Sequence, residues 1–164
     1  MAKKLRLQFM IILVILGVMV LPFQAMAVTP GTVTVTRVSL SDDGRQLVIK
    51  LACVADEGDG SVPATQITHD DVGHIGGVRY SLAGFYLYEV WTVAGAVTAP
   101  DAADIVITDE IPAEIYSEVG IITASGTVEG TISKYRSITS LLTVTVSNQA
   151  TVDATWDTYL KLVR

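Results

Sequence analysis

Two alternating runs joined by an Asp-Gly turn constrain this chain most. TVTVTRVSL (Thr32–Leu40) and QLVIKLACV (Gln46–Val54) flank Ser41-Asp42-Asp43-Gly44-Arg45. Apolar and polar residues alternating with a period of two fit a half-buried strand and not a helix. Asp-Gly tolerates the positive φ angles that hairpin turns need. The stretch therefore predicts an antiparallel hairpin. Val33 and Val35 share one face, whereas Val38 and Leu40 fall in the opposite phase. A bulge near Arg37, or burial of both faces at different ends, reconciles the two.

The rest of the chain repeats this grammar. Residues 55–77 break it: Asp56-Glu57-Gly58-Asp59-Gly60 is acidic and flexible, Pro63 follows, and both histidines, His69 and His74, lie here. The expectation is a long surface excursion with a short strand around residues 64–68, the kind of loop that often carries binding. Strand character resumes at residues 78–94. In strict alternation Phe85, Leu87, Glu89, Trp91 and Val93 share one face, and Tyr86, Tyr88, Val90 and Thr92 the other. Apolar groups on both faces place this strand in the middle of a sheet. Glu89 is the odd member, to be held at a rim or paired with an arginine such as Arg79.

After a turn at Ala99-Pro100-Asp101, residues 104–108 read as a short strand. One short helix is predicted near 109–118. Asp109 can cap it, Glu110 suits its positive end, Pro112 fits its first turn, and Ile111, Ile115 and Val119 recur every four residues before Gly120. Residues 138–147 and 151–164 read as two further strands around an Asn148-Gln149-Ala150 turn. Strand propensity to the last residue ties the C-terminus into a sheet. The sum is an all-β fold, a single antiparallel β-sandwich of about seven or eight strands over residues 28–164.

Residues 1–27 have the three parts of a secretory signal. Lys3, Lys4 and Arg6 precede a 13-residue apolar run, Pro22 breaks it, and Ala25-Met26-Ala27 supplies small residues at a cleavage site. The run is short of the about 20 residues that span a bilayer, so any membrane contact is expected only through an uncleaved leader. The expected product starts near Val28 and is secreted or periplasmic. It keeps all 17 acidic residues but 8 of the 11 Lys and Arg, a net charge of −9. Such a surface repels nucleic acid and anionic lipid, and there is no basic stripe to bind them.

Candidate chemistry is sparse. Cys53 is the one cysteine, in phase with Leu47, Ile49 and Leu51, and reads as a small buried hydrophobe. His69, Asp71 and His74 have the donor types of a zinc site, with Asp70 beside them. Their spacing puts the histidines on one face of neither helix nor strand, so a solvated polar loop is the plainer reading. Residues 56–60 fail the EF-hand spacing, with Ile67 at the twelfth position. No nucleophile elbow, phosphate loop or His-Glu-x-x-His motif is present, and no cofactor is implied. The aromatic group Tyr80, Phe85, Tyr86, Tyr88 and Trp91 reads first as core. An interface with another subunit or a platform for sugars are the alternatives.

Two segments, LAGFYLYEVWTVAGAVTAPDAADIVITDEI (82–111) and SLLTVTVSNQATVDATWDTYLKLVR (140–164), resemble small phage and prophage virion proteins of β-sandwich type. The resemblance implies a structural, oligomer-forming, non-catalytic role and carries over no functional residues. The leader departs from that pattern and points towards an exported surface protein. The expected function is an exported, non-enzymatic structural or assembly protein working through protein contacts, with copies of itself among the candidate partners. In one variant, Thr32–Leu40 completes a neighbour's sheet. The alternative is a secreted carbohydrate or cell-envelope binding module.

Overall fold

A computed structural model describes residues 28–75, 78–79, 81–111, 113–124, 126–132 and 135–164, and no side chains of residues 74–75 and 78–79. The leader lies outside the described residues. No helix among the described residues is long and apolar enough to cross a membrane.

Among the described residues eleven strands and one helix follow in chain order. They are β1 (Thr32–Leu40), β2 (Gln46–Val54), β3 (Thr65–Ile67), α1 (His69–Val72), β4 (His74–Ile75), β5 (Val78–Arg79), β6 (Tyr86–Ala94), β7 (Ala103–Asp109), β8 (Glu114–Ile122), β9 (Thr127–Gly130), β10 (Leu142–Ser147) and β11 (Thr155–Val163). Five form one antiparallel sheet in the order β1-β2-β11-β6-β9, here sheet A. Four form sheet B in the order β3-β10-β7-β8, and β4 and β5 make a small separate ribbon. Nine strands in two sheets make the β-sandwich that the alternation implies.

The first hairpin forms as its turn chemistry dictates. Gly44 takes a φ of 68°, and the Ser41 hydroxyl oxygen accepts from the amides of Arg45 (3.0 Å) and Gln46 (2.9 Å). Pairing shifts register between Arg37 and Ser39, so Val38 is the extra residue of a bulge. That bulge returns Leu40 to the phase of Val33 and Val35.

β11 is the centre of sheet A, paired over its whole length with β2 on one side and from Trp156 to Val163 with β6 on the other. Trp156, Thr158, Leu160 and Leu162 point inward and are buried. Leu47, Ile49, Leu51 and Cys53 of β2 line up beside them, against Ile105 and Ile107 of β7 and Leu142 of β10 in the shared core. Burying each such leucine or isoleucine contributes roughly 1.5–3 kcal/mol.

The helix expected near 109–118 is not there. Asp109 ends β7, and β8 occupies Glu114–Ile122, paired antiparallel to β7. Of the residues spaced by four, Ile115 is buried while Ile111 and Val119 are exposed. They form no apolar face, and pairing with β7 outweighs the local capping signals. Pro112 lies outside the described residues. Among the described residues the one helix is α1, four residues long, with Thr68 as its N-cap.

Candidate interaction face

The inward residues of sheet A make the core; its outward residues make a face that sheet B does not cover. Cross-strand partners share a side of a sheet, so the register reads out this face row by row. Thr36, Lys50, Tyr159, Trp91 and Glu129 lie side by side across all five strands. Thr34, Ala52, Asp157, Val93 and Thr127 form the next row. On the other side of the first row lie Ser39, Val48, Lys161 and Glu89.

β6 enters this face through a bulge. Lys161 pairs with Glu89, but Leu162 pairs with Leu87, which leaves Tyr88 as the extra residue. The bulge switches the phase of the strand. Leu87 points inward before it, and Val90 and Thr92 point inward after it; all three are buried. Glu89, Trp91 and Val93 are therefore outward. The strict alternation expected from the sequence holds only as far as Leu87.

This places the candidate residues. Tyr86 and Tyr88 are 40% and 51% exposed, so the reading of the aromatic group as core does not extend to them. Phe85 is core. Trp91 is half-buried and stacks on Tyr159, with ring centroids 5.0 Å apart and planes 1° from parallel. Tyr80 lies outside the described residues. Glu89 is no longer odd: it pairs with Lys161 at 3.3 Å, and the side chain of Arg79 lies outside the described set. The Lys161 ammonium also sits 4.9 Å from the centre of the Tyr88 ring. In the neighbouring row Lys50 meets Asp157 at 2.7 Å and lies 5.9 Å from the Tyr159 ring centre. The hydrogen bond to Asp157 raises the Lys50 pKa above its ordinary value.

The arrangement has a chemical consequence. Trp91 and Tyr159 turn a ring face to each other, and Lys50 and Lys161 sit over Tyr159 and Tyr88. Sugar recognition needs free ring faces to stack on pyranoses, and these rings have given part of theirs to neighbours. What remains is a broad amphipathic surface of Thr, Val, Tyr and Trp, with both of its lysines paired to acids and Glu129 at the β9 margin.

The loop candidates resolve into local structure. The Asp71 carboxylate accepts from the Thr68 amide (2.7 Å) and hydroxyl (2.9 Å), and the Thr68 hydroxyl oxygen accepts from the Asp70 amide (3.2 Å). That is a capping box, and it employs Asp71 in starting the helix. His69 belongs to α1, and His74 to β4, with its side chain outside the described set. Among the described residues no three His, Cys, Asp or Glu side chains gather to hold a metal ion. Asp56 and Asp59 likewise accept backbone N–H groups, from Gly58 (2.6 Å) and Ser61 (2.9 Å). Burial pushes the Cys53 thiol up to about 12, which keeps it protonated and poorly nucleophilic at neutral pH.

Sequence reasoning missed Tyr159, Lys50 and Lys161 as members of the face. Their outward phase on β11 and β2 was legible, but their adjacency to Trp91 and Tyr88 depends on strand order. Comparison of the chain with family models, with curated proteins and with solved structures finds no match.

Proposed function

We propose that this chain is an exported, non-catalytic structural protein that assembles with copies of itself through the outer face of sheet A. The observation that carries the reading is the composition of that face. Tyr, Trp and Val lie outward on a sheet whose other side already fills the core, and aromatic residues are characteristic of interface centres. Charge supports a second copy as the occupant. Residues 28–164 carry a net −9 and repel one another broadly, whereas here Lys50 and Lys161 are matched by Asp157 and Glu89. Size supports it too. Five strands, four of them nine residues long, span about 24 by 30 Å, or about 700 Å² per partner, close to a standard interface. Two such sheets stack face to face at about −30°. The buried, protonated thiol of Cys53 and the structural employment of the loop acids favour a non-catalytic role.

The test expresses the full-length gene and takes the protein as the cell delivers it, with its mass read by light scattering at micromolar concentration. The expected mass exceeds one chain and falls in a variant carrying Tyr86→Ser and Tyr88→Ser. A strictly monomeric protein overturns the proposal. The exposed rings of Tyr86 and Tyr88 also favour a second reading, a glycan-binding module. Tryptophan fluorescence that responds to added cell-envelope polysaccharide, in a monomeric protein, would install that reading instead.

A further inference from the structure

A sandwich of two open sheets has four edges, and three of these are guarded. β3 and β9 have three and four residues. β8 has nine, but its pairing with β7 shifts register twice and Gly120 takes a φ of 69°. Short or bulged edges resist pairing with another chain. β1 is different. It has nine residues, and residues 32–37 pair with β2 without interruption. Among the described residues nothing pairs with its other side. The run Thr-Val-Thr-Val-Thr carries no charge, proline or glycine. The adjoining Arg37 is drawn away towards α1, where its guanidinium donates to the Val72 carbonyl at 2.8 Å.

We propose that β1 pairs antiparallel with β1 of a second copy about a twofold axis, joining two five-stranded sheets into one of ten. The sequence of the edge is complementary to itself. With the axis at Thr34, Thr34 meets its own mate, Val33 meets Val35 and Thr32 meets Thr36. With the axis at Val35, Val35 meets its mate and Thr34 meets Thr36. In the Thr34 register valine meets valine and threonine meets threonine along the whole run, which are favourable cross-strand pairs, whereas the Val35 register sets Val33 against Arg37 and is the poorer of the two. An uncharged run also lets two acidic chains approach edge to edge without opposed charges. This inference rests on the assembly reading above and adds a second contact to it. Each contact alone gives a dimer; two together build a larger closed or extended assembly.

Residue-resolved hydrogen exchange tests the edge separately from the face, because only edge pairing adds backbone hydrogen bonds to β1. In a bare edge strand every second amide of residues 32–37 is unbonded and exchanges fast. In the assembled protein all of them are expected to be slow. On dilution to the monomer, as judged by light scattering, alternate amides should speed up at least about 100-fold. Persistent alternation in a protein whose mass exceeds one chain overturns the edge pairing and leaves the face reading standing. Alternation in a protein that is monomeric at every concentration overturns both. Continuous protection in a monomer means that the chain covers β1 with its own residues, and also overturns the pairing.

Discussion

Deleting Tyr88 should leave the fold nearly unharmed, which no ordinary deletion in the middle of a core strand does. The reason is the bulge. Leu87 already faces Leu162, and Glu89 already faces Lys161. Removing the extra residue joins two segments whose register is set, so Leu87 and Val90 stay inward and Glu89 and Trp91 stay outward. The loss is the contact between Lys161 and the Tyr88 ring, about 0.5–1 kcal/mol at an exposed site. A regular ladder in place of the bulge offsets part of it, so the expected net change is within about 1 kcal/mol. Deleting Thr92 instead should cost about 3 kcal/mol or more. It removes the hydrogen bond from the buried Thr92 hydroxyl to the Ile121 carbonyl (2.7 Å) and throws the strand out of register with β11 and β9. Urea unfolding followed by tryptophan emission reads both, since Trp156 is buried in the core. If β6 alternated strictly, with Trp91 and Val93 inward, deleting Tyr88 would turn those two side chains out to solvent. A loss above about 4 kcal/mol on deleting Tyr88 would therefore refute the reasoning.

Two further outcomes follow from the core. The Thr158 hydroxyl is buried in the middle of β11 with no hydrogen-bond partner. Thr158→Val should stabilise the protein by about 1 kcal/mol, read as a higher urea midpoint at an unchanged slope. The Cys53 thiol ionises near 9.0 when unfolded and only at about 12 when folded. Above pH 9 the unfolded chain sheds this proton while the folded chain keeps it, so stability falls as pH rises, by about 1 kcal/mol between pH 9 and pH 10. Cys53→Ala should remove that increment. A wild type and variant with the same pH slope over this interval would contradict the burial of the thiol.

Much of the sandwich was legible because its signals are local. The β1–β2 hairpin follows from two alternating runs and a glycine able to take positive φ. β11 follows from alternation that continues to the C-terminus. The misread parts depend on contacts distant in sequence. Leu87-Tyr88-Glu89-Val90 is compatible with two phases, and only the fixed partners Leu162 and Lys161 show where the extra residue sits. The cap, acid and proline at Asp109-Glu110-Ile111-Pro112 are real helix signals, yet β7 offers residues 114–122 an antiparallel partner strand, and a short isolated helix is marginal in water. Asp71 was legible as a cap through the Thr68-x-x-Asp71 pattern, although its proximity to two histidines first suggested a metal ligand. The paired ring faces of Trp91 and Tyr159 could not be seen, because their strands are neighbours in the sheet while the residues lie far apart in the chain.

If the outer face of sheet A is a contact between chains, Trp91 reports on it directly. Trp91 stands on that face and Trp156 is buried beneath it. Acrylamide quenching of tryptophan emission, measured over a concentration series alongside light scattering, separates the two. One quenchable tryptophan is expected in dilute protein, protected in step with the rise in mass and absent from a Trp91→Phe variant at all concentrations. Trp91 emission that stays fully quenchable while the mass rises above one chain would contradict it.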